Sequence, residues 1–412
     1  MAVSTVDKKQ YEGDTRVRLC NYTDVYYNDV ITAEMDFMEA TATVDQIERF
    51  AVSAGDVVIT KDSETSDDIG RPAFVPEDLS GVVYGYHLAV YRPFDKRYGR
   101  FLKYAFDSTS TRAEFARRTP GVTRVGLSQD TLRNLRIPAP SADEAQQIAN
   151  YLDHETAEID AFLADLGLFR RLEDERLDAS VDMAFRISDV QYAPLKRLGM
   201  IQSAGVSVNA ASWPAEVGTP GVLKTGSVSQ GVFDPNENKA VIDGTEITRL
   251  ACPVVADSII VNRANTPDLV GRAVYVNTEH PTLYLSDLLW RVKFAGGLTE
   301  YIGAWMLTRA YRDAVRAIRV GASSTMQKIS FERFGGIAIP LPEESARRSA
   351  IEDVRRLTAD RAAMRADIDG AIALAKERRA ALITAAVTGQ IDVTAKQAPV
   401  VDSIQTAIEE AR

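Results

Sequence analysis

Two long helical stretches, each directly preceded by a proline pair, constrain the fold of this chain more than any other feature. The first follows Ile137-Pro138-Ala139-Pro140, and the second follows Ile339-Pro340-Leu341-Pro342. Because proline disfavours helix in the residue before it, each helix must begin after its pair. The pattern predicts helices over residues 141–185 and 343–387, and Ser141 with Glu144 fits a reciprocal capping box at the first start.

Apolar residues within both stretches recur at steps of three and four, which is the pattern of a heptad seam. A helix of about 45 residues is roughly 65 Å long. Two such helices in one chain are expected to pair antiparallel, although each could instead pack on its own domain. The predicted pairing residues are Ile148, Leu152, Ile159, Phe162 and Leu166 in the first helix, and Val354, Leu357, Met364, Ile368 and Leu382 in the second.

An internal repeat with an offset of 201 to 203 residues runs through the chain. Residues 54–59 match 255–260, Gly70-Arg71 matches Gly271-Arg272, and Leu127-Ser128 matches Ile329-Ser330. We therefore predict an α+β fold, a tandem duplication of a mixed α/β domain followed each time by a long helix. Residues 193–216, which open the second domain, have no obvious counterpart before Arg16.

The predicted boundaries and strands follow from this repeat. The domains are 1–140 and 189–342, the helical spacers are 141–188 and 343–390, and 391–412 is a C-terminal tail. Enrichment in β-branched and aromatic residues predicts strands at 57–60, 82–91, 258–261 and 283–292.

Charge is distributed unevenly along the chain. The net charge of −10 argues at first against a nucleic-acid partner, but residues 92–136 hold 11 Lys or Arg against 4 acids, and residues 291–338 hold 8 against 3. The chain has two cysteines and three histidines without paired spacing, so neither disulfides nor a metal site are expected. No apolar run approaches 18 residues and no signal peptide opens the chain, which favours a cytoplasmic protein without a membrane span.

The two basic segments and nearby polar loops supply candidate DNA contacts. Lys and Arg side chains suit phosphate contact, while Asn, Gln, Arg and Lys supply the pairings that read base edges in the major groove. The candidates are Lys61, Arg92, Lys96, Arg97, Arg112, Arg117, Arg118, Arg124, Asn262, Arg263, Asn265, Arg312, Arg316, Arg319, Thr325, Gln327 and Lys328. The aromatic residues Tyr84, Tyr86, Tyr284 and Trp290 are expected in the core.

The order of these features resembles the DNA-specificity (S) subunit of type I restriction-modification systems. The resemblance rests on residues 321–330 leading into the second proline pair, and on residues 376–383 leading into Ala386-Val387-Thr388-Gly389. The first copy keeps Gly126-Leu127-Ser128 and residues 148–153. The sequence departs from the family pattern at Arg347-Arg348, where a Glu-Gln pair is usual.

The resemblance implies a non-catalytic chain in which each domain reads one half of a bipartite site in double-stranded DNA. The paired helices would fix the spacing of the half-sites and dock adenine methyltransferase subunits. S-adenosylmethionine, ATP and Mg would belong to the methyltransferase and to ATP-dependent restriction (translocase) subunits, with no cofactor in this chain.

Two other functions stay open at the level of sequence. One is a DNA-acting nuclease with duplicated domains, and the other is a coiled-coil scaffold without a DNA role. The chain has no phosphate-binding loop, dinucleotide fingerprint or Asn-Pro-Pro-aromatic motif, which gives an enzyme little support.

Overall fold

A computed structural model describes residues 1–119, 124–188, 190–321 and 326–393. Two compact units make up the chain. The first unit comprises Met1–Leu166 with Gly370–Arg412, and the second comprises Gly167–Asp369. Each unit therefore holds one mixed domain together with part of each long helix. Among the described helices, none combines the length and apolarity needed to span a membrane.

Among its described residues, the first unit contains nine strands, five complete helices and the first part of a sixth, long helix. The strands are β1 (Ala2–Val3), β2 (Thr15–Cys20), β3 (Met38–Ala42), β4 (Val57–Thr60), β5 (Asp62–Ser63), β6 (Pro72–Phe74), β7 (Val82–Tyr84), β8 (Leu88–Tyr91) and β9 (Val125–Gly126). The helices are α1 (Tyr22–Tyr26), α2 (Val44–Phe50), α3 (Tyr98–Asp107), α4 (Thr109–Arg117), α5 (Gln129–Arg133) and α6 (Ala142–Ala184), with a 3-10 turn at Ser66–Asp68. Helix α6 continues into the second unit.

Two sheets form the body of the first domain. An antiparallel sheet has the order β1-β8-β4-β6, and a second sheet has the order β3-β2-β7 with β2 and β7 parallel. Side chains alternate along β4, so Val57 and Ile59 pack against Phe106 and Phe115 of α3 and α4. Val58 points the other way, into the apolar cluster shared with the second sheet.

The second unit repeats this arrangement with its own elements. Its strands are β10 (Gln191–Pro194), β11 (Ile201–Ala204), β12 (Gly221–Leu223), β13 (Asn238–Ala240), β14 (Pro253–Val254), β15 (Ser258–Asn262), β16 (Ala264–Asn265), β17 (Ala273–Val276), β18 (His280–Tyr284), β19 (Leu289–Lys293), β20 (Gln327–Lys328) and β21 (Ala338–Leu341). Its helices are α7 (Gly244–Arg249), α8 (Thr299–Trp305), α9 (Arg309–Ile318), α10 (Phe331–Gly335) and α11 (Glu344–Val387), with 3-10 turns at Leu195–Arg197 and Thr225–Val228. Helix α11 continues into the first unit.

The order β11-β19-β15-β17 in the second unit reproduces β1-β8-β4-β6 in the first. This match corrects the expectation that the segment opening the second domain has no early counterpart, because β1 takes the edge position that β11 takes. The part of the second domain without a counterpart in the first is therefore smaller than the sequence indicates. Strand β10, which pairs with β21 across the second proline pair, has no equivalent strand in residues 1–14.

At the central strand, the strand pairing aligns the two domains one residue away from the alignment that the sequence match gives. Val57 lies opposite Phe74, and Ile259 lies opposite Tyr275. Gly55 lies two residues before Val57 and Asp257 two residues before Ile259, and both have positive φ angles, of 89° and 51°. Strands β4 and β15 therefore align at an offset of 202, which makes Lys61 the equivalent of Arg263.

Two predicted strands are each broken by a turn. Residues 82–91 divide into β7 and β8, with a backbone hydrogen bond from Leu88 N to Gly85 O at 3.1 Å. Residues 283–292 overlap β18 and β19, with a bond from Leu289 N to Ser286 O at 3.0 Å. The two pieces lie in different sheets each time, so a continuous β-branched pattern concealed a change of sheet.

The long helices begin and end close to the predicted residues. At the start of α6 the capping box is formed, with Ser141 N donating to Glu144 Oε2 at 2.8 Å and Glu144 N donating to Ser141 Oγ at 3.3 Å. In the first unit Ile148 and Leu152 of α6 pack against Ile383 and neighbouring residues at the end of α11. This part of the seam is formed by the start of one helix and the end of the other.

In the second unit the other ends meet. Leu177 and Val181 of α6 share an apolar cluster with Val354 and Leu357 of α11, so the two helices run antiparallel. Several predicted seam positions are buried, namely Ile148, Leu152, Ile159, Val354 and Ile368, and Leu166, Met364 and Leu382 are partly buried. Phe162 was wrongly placed in the seam, because its side chain is 50% exposed.

Candidate DNA interface

A two-stranded ribbon in the first domain gathers polar residues that are far apart in sequence. Strand β5 pairs with β9, so Asp62 lies opposite Gly126 and Ser63 opposite Val125. Leu127 N donates to Lys61 O at 2.8 Å, which extends the pairing by one residue. The ribbon therefore brings Lys61 to the same strand pair as the exposed Arg124, although more than sixty residues separate them.

The second domain has the same ribbon with different side chains. Strand β16 pairs with β20, so Ala264 lies opposite Lys328 and Asn265 opposite Gln327. Ile329 N donates to Arg263 O at 3.0 Å, in the position of the bond to Lys61 in the first domain. Four predicted DNA contacts, Arg263, Asn265, Gln327 and Lys328, thus lie on one ribbon, and Lys328 is exposed.

Charged and aromatic side chains surround the first ribbon. Asp62 accepts a hydrogen bond from Lys61 Nζ at 2.6 Å and contacts His87 Nδ1 at 2.7 Å. The ring of His87 lies 3.8 Å from that of Tyr86, centroid to centroid, and Tyr86 is 36% exposed. The expectation of a core position was wrong for Tyr86, whereas Tyr84 and Trp290 are buried. Exposed aromatic rings of this kind can stack on bases.

Two candidates are not available for DNA contact in the described structure. Asn262 is fully buried at the end of β15, and neither its Oδ1 nor its Nδ2 has a hydrogen-bond partner among the described residues. Because its side chain lies in the interior, we remove it from the interface. Thr325 lies outside the described residues.

Arginines in the first basic segment are largely engaged in ion pairs. Arg92 donates to both carboxylate oxygens of the buried Asp56, at 2.7 and 2.6 Å. Arg97 contacts Asp95 and Asp143 at 2.7 and 2.6 Å. These two side chains therefore stabilise the domain itself and are weaker candidates than the sequence indicates.

The remaining basic candidates of the first domain include both paired and exposed side chains. Arg117 and Arg118 both contact Glu114 on the same helix, while Lys96 is exposed. Arg112 donates to Asp67 O at 3.0 Å, and burial, with repulsion by Arg71, lowers the pKa of its guanidinium. Because Arg112 is partly buried and bonded to the main chain, it stabilises the domain.

The equivalent arginines of α9 follow this pattern. Arg312 forms a bidentate pair with Asp178, at 3.1 and 2.8 Å. Arg319 donates to Pro267 O at 2.6 Å. Arg316 is 61% exposed, and its ion pair among the described residues is with the exposed Asp313, so it remains accessible to a phosphate.

The ribbons carry side chains of the types that pair with base edges and phosphates. Arg, Lys, Asn and Gln offer hydrogen-bond donors to base edges and phosphates. Among the described residues, no group of three or more His, Cys, Asp or Glu side chains is placed to hold a metal ion.

A family model described as the type I restriction modification DNA specificity domain matches residues 10–161. The first domain of the chain is therefore similar to the type I restriction modification DNA specificity domain. The match covers the first ribbon and the start of α6. Neither the nuclease nor the scaffold function finds support in this comparison. No curated protein sequence matches the chain.

Solved structures of type I systems are similar to the chain over most of its length. One, from a study of complex assembly and conformational transition of the type I R-M system, has a TM-score of 0.62 at 13% identity and covers 94% of this chain and 95% of its own. The HsdS subunit from Thermoanaerobacter tengcongensis has a TM-score of 0.42 at 14% identity, covering 92% of each chain. The type I S subunit from M. genitalium has a TM-score of 0.37 at 12% identity, covering 93% of this chain and 99% of its own.

Proposed function

We propose that this chain is the sequence-specific DNA-binding subunit of a type I restriction-modification complex, and that each domain reads one half of a bipartite site. The observation that supports the proposal is the pair of equivalent ribbons, β5–β9 and β16–β20, which gather candidate base readers. The first ribbon lies within the residues that match the DNA specificity domain. Equivalent positions carry different residues, such as Ser63 and Asn265. Different readers on the same scaffold fit two different half-sites.

The long helices are proposed to fix the distance between the half-sites. The 43 residues of α6 make a rod of roughly 65 Å at 1.5 Å per residue. Half-sites on one face of B-DNA are separated by turns of roughly 34 Å, so such a rod spans about two turns.

Catalysis is proposed to belong to partner subunits. Leu168, Phe169 and Leu172 of α6 are 47%, 44% and 52% exposed, an apolar surface that a partner helix would cover. We propose adenine methyltransferase subunits as this partner, with ATP-dependent restriction subunits completing the complex in the cytoplasm. S-adenosylmethionine, ATP and Mg would then be bound by the partners, and base flipping would occur there.

Removing readers from the second ribbon tests this proposal. In the complex with methyltransferase, Asn265→Ala with Lys328→Ala should relax the sequence preference in one half-site only. A lost bidentate base contact costs about 1–3 kcal/mol of discrimination. Mapping of methylated sites measures the change.

The control is Arg249→Ala, which removes an exposed arginine of the same domain that pairs with Glu246 at the end of α7. It should leave both half-sites unchanged. Unchanged specificity in the ribbon variant, or equal loss at both half-sites, would refute the assignment of the ribbons.

A further inference from the structure

A cavity of about 160 Å³ in the second unit is lined by more positive than negative side chains. Its charged wall consists of the four arginines Arg272, Arg312, Arg361 and Arg365 and the two aspartates Asp174 and Asp178. The wall therefore carries a surplus of two positive charges. Guanidinium groups do not lose their protons in proteins, so this surplus persists at all physiological pH values.

The two aspartates are already occupied by some of the arginines. Asp178 accepts both bonds from Arg312, at 3.1 and 2.8 Å. Asp174 accepts two bonds from Arg365 Nη2, at 2.8 and 2.6 Å, and lies 3.8 Å from Arg361 Nε. No carboxylate of the wall is left for Arg272.

Several guanidinium donors remain unused. Arg365 Nε is buried and has no hydrogen-bond partner among the described residues. Arg272 donates only a long bond, from Nε to Asp268 O at 3.4 Å, and no ion pair involves it in the described part of the chain. Burial lowers the pKa of Arg272, and repulsion by Arg312 adds to this effect. Burial also lowers the pKa of Arg361, together with repulsion by Arg365.

Neutral groups hold the two arginines of α11 in place. Arg361 Nη2 donates to the main-chain carbonyl of Gln230, and Arg365 Nη1 donates to the Gln230 side-chain oxygen. These bonds orient the guanidinium groups without neutralising them. Their positions are thus fixed before any anion arrives, which reduces the entropy lost on binding.

The first half of the chain lacks this charge surplus. At the offset set by Pro140 and Pro342, Arg361 and Arg365 correspond to the apolar residues Ile159 and Leu163. In the first unit Arg379 alone contacts three aspartates, Asp29, Asp107 and Asp160. The charge surplus is therefore a property of the second half and not a requirement of the repeated fold.

We propose that this arginine-lined cavity is a binding site for a phosphate-class oxyanion. Arginine presents a planar array of donors that matches phosphate oxygens, and a dianion would neutralise the surplus of two charges. The site stands apart from the ribbons and does not depend on their role in reading DNA. Its phosphate could come from a small molecule or from the DNA backbone.

Inorganic phosphate is the probe for the test, added to the full-length chain at constant ionic strength with chloride as the reference. Phosphate should raise the unfolding temperature of the wild type, because a ligand that binds only the folded state stabilises it. Calorimetric titration should show that Arg365→Gln weakens phosphate binding about tenfold or more, since a hydrogen bond to a charged group is lost.

Asp174→Asn is the second variant, and its effect has the opposite sign. Removing this carboxylate frees Arg361 and Arg365, so phosphate binding should tighten even where the variant itself is less stable. Arg355→Gln is the control, because this arginine of α11 pairs with Glu300 and is not part of the cavity wall. Phosphate affinity should not change in that variant.

The proposal is overturned when phosphate and chloride stabilise the wild type equally, or when all three variants bind phosphate as the wild type does. The salt dependence of duplex DNA binding separates the two sources. A backbone phosphate in the cavity would reduce the salt slope by about one in Arg365→Gln, whereas a small-molecule phosphate would leave the slope unchanged.

Discussion

Truncating Leu152 to alanine should destabilise the first unit through the helix seam. Leu152 is fully buried and clusters with Phe101 and Tyr104 of α3 and with Ile383 of α11. A buried leucine replaced by alanine loses its burial free energy and leaves a cavity, at a cost of about 2–5 kcal/mol. The free energy of unfolding should fall by that amount.

Urea unfolding of the full-length chain, followed by circular dichroism, measures this cost. With a slope of about 3 kcal/mol per molar urea, a loss of about 3 kcal/mol moves the midpoint of the affected transition down by about 1 M. The matched control is Leu172→Ala, a leucine of the same helix that is 52% exposed. Its cost should stay within about 0.5 kcal/mol.

The comparison of the two leucine variants tests the packing of α6 on α11 and on the first domain. Equal midpoints for Leu152→Ala and Leu172→Ala would refute the packing of α6 on α11 and on the first domain. A smaller shift in Leu172→Ala combined with weaker assembly with the methyltransferase would instead support both the seam and the proposed partner surface.

Two further predictions concern the first unit. Exchange of residues 17–137 for the same domain of a relative should change one half of the methylated site and preserve the other half and the spacer. Mapping of methylated sites measures this result. A change in both halves would contradict the modular assignment. Burial opposes ionisation of Asp29, but Lys103 and Arg379 outweigh it and hold the pKa of Asp29 below its usual value of about 4. This stabilisation is present above about pH 4 and is lost as the pH falls through the lowered pKa, so the difference in unfolding midpoint between wild type and Arg379→Gln should be widest at neutral pH and narrow below about pH 4. A difference that is independent of pH would argue against the pairing.

Local signals made the long helices predictable. The proline pairs and the Ser141–Glu144 capping box act within a few residues, and the helices begin at Ala142 and Glu344. The seam was predicted less completely, because an ideal heptad pattern cannot show where a domain replaces the partner helix. Val181, which packs with Ala304 of α8, was missed for this reason although it is 1% exposed, and Phe162, predicted in the seam, is 50% exposed.

Long-range ion pairs made the basic segments a poor guide to the interface. Arg92 reaches Asp56 across 36 residues, and Arg312 reaches Asp178 across 134. A count of charges along the sequence contains no information about such partners. The ribbons were equally hidden, since residues on β16 and β20 become neighbours only when the strands pair.

Once the two domains are aligned at an offset of 202, the repeat distinguishes the residues that build the ribbons from the candidate DNA-reading side chains that the ribbons carry. Bonds that build the ribbons come from the main chain, such as Leu127 N to Lys61 O and Ile329 N to Arg263 O, and main-chain bonds do not depend on side-chain identity. The side chains at equivalent ribbon positions are therefore free to differ, and Val125 in one half stands where Gln327 stands in the other. If the ribbons read DNA as proposed, a duplicated scaffold with independently variable ribbon residues would allow each half-site to change without altering the fold of either domain.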